Sequence, residues 1–221
     1  MNLSSARLCQ ALAYQFRNEN VLAEALTHRS ATVRNNERLE FLGDSILNCV
    51  IAGELFNEYP QASEGELSRL RASLVNQDTL AGLARILHLG EYLNLGGGEL
   101  KSGGFRRASI LADALEAVFG AVYLDSDFAT CRQVILRLYS NALANLPDVN
   151  KLKDPKTRLQ EFLQARQQAL PTYNVLEITG EAHDQRFKIE CVLTEICTVA
   201  VGTSRRKAEQ EAARKALELL E

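Results

Sequence analysis

The order of apolar and polar positions divides the chain into two stretches of different period. Up to about residue 146, apolar residues recur three and four apart, the spacing of amphipathic helices. Leu8, Leu12 and Phe16 mark one helix over residues 3–16, and Leu22, Ala25 and Leu26 a second over 19–27. Leu39, Leu42, Ile46 and Val50 mark a third, which runs on through Phe56 and breaks at Tyr59-Pro60. Ser63, with Glu66 three residues on, reads as a capping box for a helix carrying Leu67, Leu70, Leu74 and Val75. Further helices are predicted over residues 78–87, 109–124 and 127–146, with Gly90, Gly96, Gly97, Gly98, Gly103 and Gly104 opening a flexible loop between the first two. Residues 109–124 are apolar nearly all round, which predicts a core helix.

Pro147, Asp148, Asn150 and two lysines then interrupt the pattern, and residues 147–154 read as a linker. Beyond it a helix over 155–168, with Pro155 at an early position, gives way to alternation: Tyr173, Val175, Ile178; Phe187, Ile189, Cys191, Leu193; Ile196, Thr198, Ala200. Three half-buried antiparallel strands are expected there, followed by a closing helix opened by Ser204. The predicted architecture is an all-α domain over residues 1–146 and a smaller α+β domain over 155–221 in the order α-β-β-β-α.

Composition sharpens this picture in three ways. With 221 residues and 46% hydrophobic content, each domain can bury a core. The first ~22 residues carry no basic start followed by an apolar run, and no stretch approaches the ~18 apolar residues of a membrane span, so a soluble, cytoplasmic protein is expected. The cysteines, Cys9, Cys49, Cys131, Cys191 and Cys197, are odd in number and scattered without a CxxC pair, which disfavours zinc and a disulfide framework. A net charge of −3 hides an asymmetry. Residues 1–150 hold 13 Lys and Arg against 17 Asp and Glu, a balance of −4, and residues 151–221 hold 12 against 11, a balance of +1.

The acid is concentrated where chemistry is expected. At about 100° per residue, Glu37, Glu40 and Asp44 fall within roughly 60° of one another on the helical wheel. Asp113 and Glu116 lie one turn apart on the apolar helix. Two carboxylates ~5 Å apart repel by roughly 3 kcal/mol at an effective dielectric near 20, and a divalent cation with hard oxygen ligands removes that penalty. Acidic residues at helical spacing also occur as a solvated face, and spacing alone does not show that the two helices meet; Gly43, lacking a side chain, permits close approach. His28 beside Arg29 reads as a residue fixing a helix end, with no Ser or Cys nearby for a nucleophilic dyad. The glycine-rich loop is not a nucleotide-binding loop, since Leu100 precedes Lys101 where glycine is required. Its Lys101, Arg106 and Arg107 are either surface charge or phosphate contacts. Arg205, Arg206 and Lys207 stand at the N-terminus of the last helix, where cations oppose the helix dipole and a bound phosphate is favoured.

Residues 36–45, NERLEFLGDS, with ALTHRS at 25–30 and GELKSGGFRR at 98–107, resemble the signature stretches of the ribonuclease III family. The C-terminal part resembles a double-stranded RNA-binding domain. The resemblance implies a Mg²⁺-dependent endonuclease, with Mn²⁺ as a substitute, that hydrolyses phosphodiesters in double-stranded RNA and leaves 5′-phosphates and short 3′ overhangs. It implies that Glu40, Asp44, Asp113 and Glu116 hold metal, Asp44 and Glu116 being the catalytic pair, and that Glu37 and Glu64 position substrate, although Glu64 is also an ordinary first-turn residue. RNA contacts are implied for Lys101, Arg106, Arg107, Thr157, Gln160, Glu161, His183, Arg205, Arg206 and Lys207. A two-fold homodimer is implied in which Phe41 enters the partner, along with roles in ribosomal, messenger and transfer RNA processing. The family commonly carries a longer glycine-bearing turn than Gly202-Thr203 before the basic helix. The competing readings are a double-stranded RNA-binding regulator without catalysis and a helical phosphohydrolase of small phosphoesters.

Overall fold

A computed structural model of the chain describes residues 3–146, 153–181 and 184–220, with the side chains of 3–5 left aside. The chain forms two compact units, Met1–Pro147 and Asp148–Glu221. The predicted linker falls largely outside the described residues, as does His183.

The first unit is helical: α1 (Leu3–Leu12), α2 (Glu19–Ala25), α3 (Glu37–Glu58), α4 (Glu64–Leu74), α5 (Gln77–Ile86), α6 (Gly97–Lys101), α7 (Ala108–Asp125) and α8 (Phe128–Ala144). Helix α7 is its centre. From Ile110 to Val122 its residues are buried apart from Asp113 and Glu116, because alanine, leucine and valine on every face leave no polar side to show to water. Helix α3 packs along it, burying Leu39, Ile46, Leu47, Val50, Ile51 and Leu55. The capping box before α4 is formed, with Ser63 and Glu66 exchanging hydrogen bonds.

Two local expectations give way. The first helix stops at Leu12 rather than running to residue 16; Ala13 turns left-handed at φ 42°, and the following segment is held instead by Asp125, which accepts from the Tyr14 hydroxyl and the Arg17 and Asn18 amides at 2.7–2.9 Å. Phe16 is buried all the same, with its ring edge-on to Tyr14. The glycine-rich stretch is more ordered than an open loop: it contains α6 and short 3₁₀ turns at Leu89–Tyr92 and Gly104–Arg106, tied by Glu99, which accepts from Arg107 and Ser102.

The second unit places α9 (Pro155–Ala165) and α10 (Arg205–Leu220) on one face of a sheet of order β1-β2-β3, formed by β1 (Thr172–Thr179), β2 (Arg186–Val192) and β3 (Cys197–Gly202). Both pairings are antiparallel, with Tyr173 opposite Cys191 and Ile189 opposite Ala200. Leu159, Leu163, Cys191, Ala200, Ala212, Ala213, Ala216 and Leu217 form the core. The alternation along β1 predicts Val175 and Ile178 half-buried, yet they are 41% and 54% exposed. A bulge between Val175 and Glu177 and the edge position of β1 put them beyond the cover of the helix pair. The turn into α10 is tight: a Cβ on Gly202 would lie 2.5 Å from the Ala208 amide. Among the described residues no helix is long and apolar enough to cross a membrane.

Candidate active site

The site is made by the contact between α3 and α7. A Cβ on Gly43 would lie 1.8 Å from the Glu116 carbonyl oxygen, and one on Gly120 would lie 2.3 Å from the Leu39 carbonyl oxygen. The two backbones therefore touch at a pair of glycines, each opposite the turn of its partner that carries acid. Side chains at either position would separate the helices; their absence lets one acidic stripe meet the other.

Glu40, Asp113 and Glu116 come together there, with one carboxylate oxygen from each lying within 4.8 Å of the others. All three are half-buried, and their proton affinities record the crowding. Glu116 is pushed up to about 8, by burial first and then by Asp44, Glu40 and Asp113. Glu40 is raised by burial and by Asp113, Glu37 and Asp44, while Arg29 works against them. Asp113 is raised by burial, with His28 and Arg29 opposing. Such a cluster is costly without a counter-charge, and its ligand atoms are hard oxygens at a spacing one ion can bridge, so the donor set fits a divalent cation. Asp44 is exposed at the margin, close enough to act on Glu116 but outside the three-oxygen cluster; its carboxylate accepts from Asn48 at 2.8 Å.

A cleft of about 480 Å³ opens beside the cluster, lined by Glu37, Glu40 and Asp113 together with His28, Arg29, Ser30, Glu99 and Arg107. The chain from His28 to Ser30 is held in place by the 94–96 strand-like segment: the His28 amide donates to Asn94 and the Gly96 amide to the Ser30 hydroxyl. His28 does fix this loop, its ring nitrogen lying 2.8 Å from the Ser30 hydroxyl, and it also lines the cleft. Arg29 pairs with Glu37 at 3.4 Å and Arg107 with Glu99 at 2.9 Å, so both cations are held at the rim by carboxylates. Arg29 and Glu99 escape a reading of the sequence because each needs its partner, eight residues away, to be seen as part of the site.

The remaining candidates are dispersed. Glu64 begins α4, accepts from Ser68 at 2.8 Å and does not line the cleft. Lys101 ends α6 and is exposed; Arg106 stacks over its neighbour Phe105 at 4.9 Å. Phe41 stands 77% exposed on α3. In the second unit Thr157, Gln160 and Arg206 line one groove of about 590 Å³ between α9 and the start of α10. Arg205 and Lys207 are exposed beside it, Arg205 held by Glu209 at 2.8 Å, whereas Glu161 turns to Lys153 at 2.7 Å.

Comparison with known proteins agrees with this division. Residues 18–143 match the family model described as ribonuclease-III-like, and residues 155–220 match the double-stranded RNA binding motif. The chain is 57% identical over 216 residues to a protein named ribonuclease 3 from Shewanella amazonensis, covering 97% of this chain and 96% of that one. It is 55% identical over 223 residues to ribonuclease 3 of Pasteurella multocida, covering 100% and 99%. Among solved structures, the nuclease domain of ribonuclease III from Campylobacter jejuni, described for flexibility in a region involved in dimer formation, aligns with TM-score 0.62 at 42% identity over 63% of this chain and 98% of that chain.

Proposed function

The chain belongs to the ribonuclease III family and is a double-stranded RNA-specific endoribonuclease, and from that premise we propose how its residues divide the work. Glu40, Asp44, Asp113 and Glu116 hold Mg²⁺, for which Mn²⁺ substitutes. The observation that carries this assignment is the convergence of three half-buried carboxylates from two helices at a glycine crossing. The bound metal would polarise the scissile phosphate and supply hydroxide from water near neutral pH. Asp44, steadied by Asn48, completes the set from the margin, and Glu116, the most strongly perturbed, is the residue on which cleavage depends most.

The rim performs the binding. Arg29 and Arg107, each oriented by a carboxylate, face the backbone of a duplex entering the cleft, with Glu37 positioning through Arg29. Lys101 and Arg106 extend the basic surface, and Glu64 acts at a distance from the cleft. The domains are residues 1–146 for catalysis and dimerisation and 155–221 for duplex binding. In the second, Thr157, Gln160 and Arg206, which share one groove, take the RNA backbone with Glu161, Arg205 and Lys207 as further contacts; His183, outside the described residues, is assigned a contact as well, and A-form shape is read through phosphates and 2′-hydroxyls. Phe41, exposed on the helix that carries the acids, is the dimer contact, giving one site per subunit and cuts in both strands. Precursors of ribosomal RNA and structured transcripts in the cytoplasm are the substrates.

Cleavage of a perfect RNA duplex of about 30 base pairs, run with Mg²⁺, with Ca²⁺ and with chelator, tests the core of this reading against Glu116→Gln. Wild type is expected to cut with Mg²⁺ alone, and the variant to bind without cutting. Binding by wild type in every condition without cutting would instead favour a regulator that only binds RNA.

A further inference from the structure

We infer that Tyr139 is a positioning residue of the metal centre, its buried hydroxyl serving as the hydrogen-bond donor behind the Glu116 carboxylate. The inference rests on the reading of Glu116 as a metal ligand.

Tyr139 is among the largest fully buried side chains of the protein, and its hydroxyl has no hydrogen-bond partner among the described residues. A buried hydroxyl left in that state costs about 1–3 kcal/mol, which phenylalanine would avoid in the same space. The tyrosine therefore calls for a partner that becomes available in the working enzyme. Helices α7 and α8 are joined by Ser126 and Asp127 alone, and α8 turns back against α7. Their register is fixed where the Cys131 thiol donates to the Phe119 carbonyl at 3.3 Å. Cys131, Ile135 and Tyr139 follow at intervals of four along one buried stripe of α8. Two turns along that stripe advance ~12 Å from the Phe119 contact, a reach that includes the turn of α7 carrying Asp113 and Glu116. Side chains of a helix lean toward its N-terminus, a direction that would bring the Tyr139 hydroxyl nearer the level of Glu116. Glu116 is also the charged group that, after burial, raises the Tyr139 phenol.

The division of labour within the Glu116 carboxylate follows. One oxygen joins Glu40 and Asp113 in the cluster, and the other would take the Tyr139 hydroxyl. A phenol reaching it, directly or through one ordered water, would fix the orientation of the ligating oxygen, the role that donors behind ligands play in metal sites generally. With the metal bound Glu116 is an anion, the state in which it accepts such a bond best.

The test is Mn²⁺ binding by the full-length protein without RNA, followed by the electron paramagnetic resonance signal of free Mn²⁺, for wild type, Tyr139→Phe, Ile135→Val and Glu116→Gln. Thermal melting in chelator is recorded alongside. Tyr139→Phe is expected to melt at or above the wild-type temperature in chelator, yet to bind Mn²⁺ roughly 10-fold more weakly, the lower end of the usual loss when a donor behind a ligand is removed. Ile135→Val, which trims packing on the same stripe without touching the oxygen, is expected to leave Mn²⁺ affinity unchanged. Unaltered Mn²⁺ binding by Tyr139→Phe beside a clear loss in Glu116→Gln would overturn the role of Tyr139 alone. Unaltered binding in both would overturn the metal assignment itself, and an equal loss in Ile135→Val would reduce Tyr139 to packing.

Discussion

Replacing Gly43 by alanine probes the device on which the whole site depends. The added Cβ would stand 1.8 Å from the Glu116 carbonyl oxygen, 2.6 Å from its carbon and 2.9 Å from the Gly120 amide nitrogen, where ordinary contact begins at 3.4 Å. Every one of those atoms is backbone, so no side chain can swing aside, and α3 and α7 must part by about 1.6 Å, the difference between 3.4 and 1.8. Overpacking of this kind costs about 1–3 kcal/mol, and for a chain of this size each kcal/mol lowers the melting temperature by about 2–4 °C, so a fall of roughly 2–12 °C is expected. Function suffers more than stability. Glu40 sits on one helix and Asp113 and Glu116 on the other, and a misplacement of about 1 Å in a catalytic constellation costs on the order of 100-fold in rate. Gly53 supplies the control, because it lies on the same helix with nothing within 4 Å of its would-be Cβ. Gly53→Ala should stabilise by up to about 1 kcal/mol through helix propensity and leave cleavage untouched. Melting curves and single-turnover cleavage of a duplex decide the matter: a Gly43→Ala protein that melts and cuts like wild type would refute the claim that glycine contact builds the metal centre.

Four further outcomes are expected. Glu116→Gln should raise the melting temperature of the protein in chelator at pH 7, since burial, then Asp44, Glu40 and Asp113, make the folded protein hold a proton there that the unfolded chain releases, while Mg²⁺ should stabilise wild type more than the variant; calorimetry in both conditions reads this. Asp125 is raised by burial, but bonds from Tyr14, Arg17 and Asn18 outweigh this and hold it below the ordinary carboxylate range. Its contribution is therefore full above the unfolded pKa and lost as pH falls through the folded one, so Asp125→Asn should cost about 1–2 kcal/mol at pH 7 and progressively less toward pH 3 in urea titrations. Arg206→Ala should weaken duplex binding and reduce the slope of log affinity against log salt by about one, measured by fluorescence anisotropy, with Arg205→Ala doing less because Glu209 holds that guanidinium. Phe41→Ala should shift the protein toward monomer in sedimentation velocity, and an unchanged dimer would remove Phe41 from the interface.

What could be read from the sequence, and what could not, separates along the range of the interactions. The helical period, the capping box at Ser63 and Glu66 and the alternation of β2 are local, and they fold as their patterns imply. So does the all-round burial of α7, which its composition demands. The end of α1 was hidden because the groups that hold residues 14–18 belong to Asp125, more than a hundred positions away. The same holds at the site. Periodicity put Glu37, Glu40 and Asp44 on one stripe, but that Asp44 lies at the margin while Glu40 joins Asp113 and Glu116 depends on how two helices cross, which no single stripe contains. The pairing of Arg29 with Glu37 and of Arg107 with Glu99 was equally invisible, since each pair joins different elements.

The crossing explains why acid so dense is tolerated at all. Helix α7 is held in place by apolar burial over three turns, worth far more than the repulsion among its carboxylates and those of α3. The packing therefore fixes the oxygens first, and burial, then Asp44, Glu40 and Asp113, pushes Glu116 up to about 8, so that near neutral pH a proton holds the place a cation would take. A site arranged by looser contacts would open to separate the charges and would need to close again around an ion. Here the backbone contact at Gly43 and Gly120 forbids that motion, so binding a cation relieves a strain already present instead of paying for order. Pre-arrangement of this kind makes the acidic cluster a property of the fold of the first unit, set by the glycine contact between two of its helices.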